Sequence, residues 1–333
     1  MRPAAKERTW QQKLAALAVV GLVVLVTATL CAAFARQFWV GDLAVHFRIQ
    51  LAALCLLGAV LFAWLRRPAF AVVSVITLIV NITGAASAFE WQPRERTNDV
   101  AANAGPTVHA ASINVYYRNR EYERVQNFLR EQRPDFVVLV EITPAWRQAL
   151  DSLASLYPYR YFSAAPIQRG DGPLERGIML LSVWPIEHVE SIDFGAWAEP
   201  AVNATLNVRG KPLHVMGVHP CWPIGGEIAA ERNRELVRIA AIAHSIKGPL
   251  VVLGDFNITP FSPHFAELLR ASGLRSASAR AGWQPTWPTF LPLAGIQIDH
   301  ALVSPDIIVL GFGRGPRIGS DHWPIVVELL PRS

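Results

Sequence analysis

The sequence predicts two packed β-sheets with helices on their outer faces, preceded by three membrane-spanning helices. Three observations carry this prediction. The 333-residue chain is 52% hydrophobic and only 17% charged, and the apolar excess is concentrated before residue 90. From Thr107 onward, short apolar runs alternate with stretches of helical periodicity. Those runs outnumber the helices, and strands in excess over roughly 225 residues are best buried as two sheets sharing one core. Three cysteines are too few for a disulfide scaffold, and Gly and Pro lack the periodicity of a collagen-like chain.

The membrane region spans residues 1–89. Leu14 to Phe34 is an uncharged run of 21 residues, Ile49 to Leu65 one of 17, and Pro68 to Phe89 one of 22. A bilayer core of about 30 Å needs about 20 helical residues. The first and third runs therefore span as they stand; the second does so over 47–65, with Phe47 and Trp64 at the interfaces. A signal peptide is the rival reading of the first run, but two more apolar runs follow it. Arg2, Lys6, Arg8 and Lys13 precede the first run and Arg66-Arg67 separates the second from the third. Positive-inside orientation then starts the chain in the cytoplasm and leaves everything after Phe89 outside it. The predicted location is a bacterial-type inner (plasma) membrane, multi-pass, with a periplasmic or extracellular C-terminal domain. The bilayer itself is thus the first predicted partner, and no protein partner is predicted.

Residues 90–106 read as a polar linker and 107–331 as the soluble domain. Within it, strands are predicted at 108–115, 136–140, 178–183, 201–208, 213–218, 250–253, 298–303 and 325–329, and helices at 120–132, 144–155, 226–245 and 263–271. The charge is divided unevenly. Residues 1–105 hold ten Lys/Arg against five Asp/Glu, whereas 106–333 hold twenty-one of each. The net charge of +5 thus lies outside the soluble domain, which lacks the basic surplus of a nucleic-acid binder.

Polar residues gather where apolar strands end. Glu141 closes FVVLVE, His219 closes LHVMGVH, Asp255 and Asn257 follow PLVVLG, Asp299 lies in IQIDHALV, Asp321-His322 precede WPIVVELL, and Asn114 lies in ASINVYY. Strand ends on one edge of a sheet converge in space. The inventory suits a hard divalent cation held by carboxylate and amide oxygens, with histidines for proton transfer. There is no phosphate-binding glycine loop and no Gly-x-Ser-x-Gly elbow. Cys221, two residues from His219, reads as packing rather than as a nucleophile, and His300 reads as structural.

Together, Asn114, Val140-Glu141, Gly217-Val218-His219, Gly254-Asp255-Phe256-Asn257, Ile298-Asp299-His300 and Ser320-Asp321-His322-Trp323-Pro324 resemble the endonuclease/exonuclease/phosphatase superfamily over residues 107–331. The resemblance implies a four-layered α/β sandwich of two mixed sheets and a metal-dependent phosphoric-ester hydrolase using Mg²⁺ or Mn²⁺. It implies Glu141 as the principal metal ligand, helped by Asn114 and Asp321. It implies His322, oriented by Asp299, as general base or as a clamp on the scissile phosphate, and Asp255 as the group that positions or deprotonates water. By the same resemblance Asn257 fixes the geometry of Asp255, and His219 stabilises the phosphorane or assists the leaving oxygen. Glu175-Arg176-Gly177 resembles a family segment near the cleft. Two phosphoester substrates stay open, DNA or RNA and a phospholipid headgroup; a catalytically silent scaffold is disfavoured because every motif is intact. Trp197, Trp222, Trp283 and Trp287 are open between a base-stacking platform, a lipid-facing rim and core.

Overall fold

The computed structural model describes residues 9–88, 107–167, 172 and 174–332. The linker 90–106 and the tail residues Arg2, Lys6 and Arg8 lie outside the described residues. The chain divides into two compact units, Met1–Ala88 with Phe261–Pro263, and Phe89–Pro260 with His264–Ser333.

The first unit is helical: α1 (Trp10–Ala33), α2 (Trp39–Val45), α3 (Arg48–Trp64) and α4 (Pro68–Ala86). Thr9 and Gln12 form a capping box at the start of α1, satisfying amides that the helix itself cannot. Leu17, Val20, Val23, Leu56, Leu57, Ile76 and Ile79 are exposed, so these helices are apolar on their outer faces as well as their inner ones, the pattern of a membrane span. α1 and α4 are each long and apolar enough to cross a membrane, and α2 with α3, bent by 68°, makes a third if the pair is one span. Asn81 Nδ2 donates to Thr29 Oγ1 at 2.8 Å and to Thr77 O at 3.0 Å, tying α4 to α1 where both side chains are buried.

The second unit is the predicted sandwich of two packed mixed sheets. Sheet I has the order β11-β12-β1-β2-β4-β3 and sheet II the order β5-β6-β7-β8-β10-β9. Sheet I contains β1 (Val108–Asn114), β2 (Phe136–Ile142), β3 (Tyr159–Ile167), β4 (Leu174–Ser182), β11 (Ile307–Arg314) and β12 (Ile325–Pro331). Sheet II contains β5 (Ile186–Ile192), β6 (Ala201–Val208), β7 (Lys211–Val218), β8 (Leu250–Asp255), β9 (Arg275–Ser276) and β10 (Asp299–Val303). One parallel pair lies at the centre of each sheet, β1 with β2 and β7 with β8; the neighbouring pairs are antiparallel.

Three apolar clusters make four layers. Val108, Phe136, Val138, Ile178, Leu206, Val215, Leu253 and Val327 pack between the sheets. On the outer face of sheet I, Ile113, Val137 and Leu139 meet Val125, Phe128 and Leu129 of α5 (Tyr122–Gln132) and Trp146 of α6 (Pro144–Ala149). On the outer face of sheet II, Met216, Val218 and Val252 meet Leu236 and Ile239 of α7 (Gly226–Ser245) and Phe265 and Leu268 of α8 (Pro263–Ser272). The predicted helix 144–155 is α6 followed by a 3₁₀ turn at Leu150–Leu153. Four strands lie where none was predicted: β3, β5, β9 and β11.

Candidate active site

The two parallel pairs bring four strand ends to the same side of the sandwich. β1 closes with Asn114, β2 presents Glu141, β7 leads into His219 and β8 closes with Asp255. Antiparallel neighbours add their beginnings. Asp299 opens β10 directly opposite Asp255, and Asp321-His322 precede β12, whose Ile325 pairs with Ser112 of β1.

Backbone irregularities aim the side chains. Between Leu139 and Ile142 the β2–β4 register shifts, and Glu141 adopts φ +64°, a bulge that turns the carboxylate out of the ladder. Gly254 has φ +153°, and a Cβ there would lie 1.8 Å from Val218 O, so only glycine lets β7 and β8 run this close at their ends. Asn257 has φ +51°, a region asparagine tolerates.

Asp255 is the hub. Its Oδ2 accepts a hydrogen bond from Asn114 Nδ2 at 3.1 Å and lies 3.6 Å from both His219 Nε2 and His322 Nε2. Its Oδ1 accepts from the Asn257 amide at 2.9 Å. Asn257 Nδ2 in turn donates to Pro220 O at 2.9 Å, tying the loop after β8 to the loop after β7. His322 Nδ1 is bonded to Asp299 Oδ2 at 2.9 Å. All of these side chains except Asn257 are buried.

The charge states follow from these contacts. Burial alone would push protons off the histidines, but Asp299 and Asp255 raise His322 to about 10, and Glu199 and Asp255 raise His219 to about 9. Both imidazoles are therefore cationic at neutral pH. The Asp255 pKa is also displaced upward, which for a carboxyl favours the neutral form: burial and Asp299 push it up, and the two histidines draw it back only in part.

Glu141 stands beside this hub. Its Oε2 accepts from the Tyr117 amide at 2.9 Å and its Oε1 lies 3.2 Å from Arg176 Nη1. Burial pushes its pKa up, but Arg176, His219 and the Tyr117 amide outweigh burial and hold it below the usual carboxylate range. Asp321 Oδ2 accepts from Trp287 Nε1 at 3.1 Å, while its buried Oδ1 has no hydrogen-bond partner. Burial and Glu141 raise the Asp321 pKa, against His322 and Trp287.

Glu199 was not foreseen from the sequence. Its Oε2 accepts the Glu141 amide at 3.0 Å, and its Oε1 lies 3.4 Å from Arg176 Nε and 3.3 Å from His219 Nδ1. It therefore joins the Glu141 and Asp255 groups. A signal existed: Glu199 precedes β6, and the antiparallel register pairing Val202 with Gly217 puts the start of β6 beside the end of β7. Arg176, foreseen only as a neighbour of the cleft, is buried between Glu141 and Glu199. Cys221 is a buried thiol donating to Glu235 Oε1 at 2.9 Å, with its pKa driven up by burial and that carboxylate, so it is no nucleophile. His300 Nε2 is bonded to Ile258 O at 2.8 Å and packs on Phe256 and Phe265, away from the hub.

Two donor sets bear on a cation. Asp255, Asp299 and His322 bring ligand atoms within 4.8 Å of one another, and Asp299 Oδ1 is buried without a partner, but the two ring nitrogens of His322 already face these carboxylates, at 2.9 Å from Asp299 Oδ2 and 3.6 Å from Asp255 Oδ2. Glu141 and Asp321 fit better: one is held ionised and the other has an unpartnered buried oxygen, which is the chemistry a hard divalent ion needs.

A family model described as Endonuclease/Exonuclease/phosphatase family matches residues 111–322. No curated protein matches the chain. Among solved structures, an endonuclease/exonuclease/phosphatase from Beutenbergia cavernae has a TM-score of 0.59 at 18% identity, covering 69% of this chain and 72% of its own. D. rerio TDP2 complexed with single-strand DNA product gives 0.56 at 18% identity, covering 68% and 99%. Sphingomyelinase C from Streptomyces griseocarneus gives 0.51 at 21% identity, covering 67% and 99%. At these identities the likeness is one of fold.

Proposed function

The chain belongs to the Endonuclease/Exonuclease/phosphatase family, whose members are metal-dependent phosphoric-ester hydrolases, and on that premise we propose that it is a membrane-anchored phosphoesterase. It hydrolyses phosphodiester bonds by in-line attack of an activated water, with the catalytic unit outside the cytoplasm. The observation that carries this reading is the convergence of two cationic imidazoles and one amide on Asp255 Oδ2, at 3.6, 3.6 and 3.1 Å. A phosphodiester repels nucleophiles, so its hydrolysis needs positive charge on the equatorial oxygens and an aligned water. His219 and His322 supply the charge and Asp255 the acceptor.

The charge states divide the roles. His322 enters the cycle protonated, so it clamps the phosphate or protonates the leaving oxygen. Asp255, whose proton affinity lies closer to neutrality than an ordinary carboxylate's, accepts the proton from water. Asp299 holds the His322 ring in place, and Glu199 does so for His219. Asn257 keeps the Asp255 loop fixed against Pro220. Glu141 and Asp321, with Asn114, would hold Mg²⁺ or Mn²⁺, which would withdraw charge from the phosphoryl oxygens when bound.

Membrane anchoring is supported by α1 and α4, and the outward orientation by Arg66-Arg67 and the basic N-terminal tail. The test uses the full chain in vesicles with Mg²⁺, offered single-stranded DNA, double-stranded DNA and phospholipid. One phosphodiester should be cut, with a loss of about 10³-fold or more in Glu141→Gln and in His322→Ala, and on chelation. Wild-type turnover in both variants would sink the proposal.

A further inference from the structure

The loop between Trp287 and Ile296 carries the two most exposed large apolar side chains among the described residues of the second unit, Leu293 and Phe290, with Leu291 beside them. Phe290 is 70% exposed, Leu291 51% and Leu293 93%. The loop is tied down at its base, because Trp287 and Ile296 exchange backbone hydrogen bonds at 3.0 and 2.6 Å. A 3₁₀ turn at Pro292–Ala294 stiffens its tip. Leu293 is thus held out almost fully exposed by a braced turn, with Leu291 half exposed beside it.

The loop is also joined to the site. The Thr289 amide donates to Asp321 O at 2.8 Å, Thr289 Oγ1 donates to Ser320 O at 2.9 Å, and Trp287 Nε1 donates to Asp321 Oδ2. A second apolar prong stands on the loops that carry Glu199 and His219. There Trp197 packs edge-on against Trp222 with ring centroids 6.3 Å apart, and Ile224 is 60% exposed. Arg314 and Arg317 flank the first prong. Arg317 donates to Thr289 O, and both guanidinium groups lie over the Trp323 ring, 5.3 and 5.7 Å from its centre.

We propose that these two prongs form a lipid-docking rim around the site, and that the scissile phosphodiester belongs to a membrane lipid. The inference rests on the phosphoesterase reading and names its substrate class. Three arguments favour lipid over nucleic acid as the occupant. Leucine has no π-face on which a base can stack, so Leu291 and Leu293 offer nothing to single strands, whereas aliphatic and aromatic side chains flanked by arginine suit an anionic interface. The formal charge over 106–333 is balanced, so this part of the chain carries no basic surplus to hold a polyanion. A chain anchored by its own apolar helices also keeps lipid phosphates at high effective concentration.

The experiment uses the full chain in vesicles of phosphatidylcholine and phosphatidylglycerol. Leu293→Cys is labelled with an environment-sensitive fluorophore and challenged with doxyl-labelled lipid; Glu187→Cys serves as the control position, and the labelled wild type gives the background from native cysteines. Quenching at 293 should exceed that at 187 severalfold, and equal quenching overturns the docking rim whether or not any phosphoester is cut. In parallel, Leu293→Asp should lower turnover of bilayer phospholipid about tenfold while sparing a monomeric short-chain phospholipid. Its side chain has almost no packing to lose, so folding is not at stake. An equal loss on both lipids, or cleavage of single-stranded DNA with lipid untouched, overturns the lipid assignment. Failure of the wild type to cut any phosphoester overturns the parent reading, and the quenching comparison still decides the rim.

Discussion

Exchanging Glu199 for Gln keeps the shape of the side chain and removes one charge where Arg176, His219 and Glu141 meet. His219 Nδ1 lies 3.3 Å from Glu199 Oε1, a separation worth about 5 kcal/mol between unit charges at an effective dielectric of about 20. The whole rise of His219 from 6.5 to about 9 amounts to only about 3 kcal/mol. Burial opposes the rise, so loss of Glu199 should return His219 to its ordinary value or below. Because the folded pKa is raised, the imidazolium is present below that value and lost as pH climbs through it. At pH about 7.5 the charged fraction should fall from nearly all to about a tenth. If His219 neutralises a phosphoryl oxygen, turnover at that pH falls about tenfold and recovers toward pH about 6, moving the basic limb of the profile by about two units. The pH–rate profile measures this, and histidine carbon resonances followed through titration of the metal-free protein locate the proton. A basic limb unchanged in Glu199→Gln, or a His219 that still titrates near 9, would refute the reasoning; a uniform rate loss would mean that Glu199 supports structure alone.

Gly254→Ala places a methyl group against Val218 O at φ +153°. It should destabilise the second unit by about 3 kcal/mol or more, seen as a lower thermal midpoint with no compensating gain from Mg²⁺. Asn257→Ala removes the bond to Pro220 O and puts alanine at φ +51°. Turnover should fall about tenfold to a hundredfold with little change in metal affinity, and calorimetric Mg²⁺ titration separates the two. Burial lowers His300 to about 4 against the pull of the Ile258 carbonyl and Asp299, so the folded state resists protonation. Its contribution is whole above pH 6.5 and is lost as pH falls toward 4, about 3 kcal/mol in total. Hydrogen-exchange protection of β8 and β10 should show that loss in the wild type and not in His300→Gln.

Which strands were legible in the sequence has a physical cause. The eight predicted strands include both parallel pairs and their inner neighbours, buried on two faces or paired on two sides, and such strands read as continuous apolar runs. The four that escaped prediction are the four sheet edges, β3 and β11 in sheet I and β5 and β9 in sheet II. Edge strands carry polar and charged residues that discourage pairing with other chains. β5 reads IEHVESI, with Glu187, His188 and Glu190 exposed, and β3 begins with exposed Tyr159 and Arg160. The site followed the same division. Every residue at the end of an apolar run was visible, because a charge directly after a buried strand is costly without a purpose. Glu199 and Arg176 lie at strand beginnings, as Asp299, Asp321 and His322 do, and only the antiparallel register brings such residues to the cleft; those three were legible through the motifs around them, whereas Glu199 has no such motif and Arg176 only a weak one.

That register also explains why the cleft suits a divalent cation. Glu141, Glu199, Asp255, Asp299 and Asp321 supply five carboxylates, whereas Arg176, His219 and His322 supply three cations. With every group ionised, an excess of two negative charges is left in a mostly buried space, and the substrate brings another. Such an excess disfavours ionisation of the least compensated acids. Asp255 and Asp321 accordingly have their pKa values raised, by burial first and by neighbouring carboxylates after it. Glu141, paired with Arg176, is displaced downward instead. A single divalent ion at Glu141 and Asp321 would cancel the excess and use the unpartnered Asp321 Oδ1. It would leave His219 and His322 free to keep the protons that the proposed hydrolysis uses.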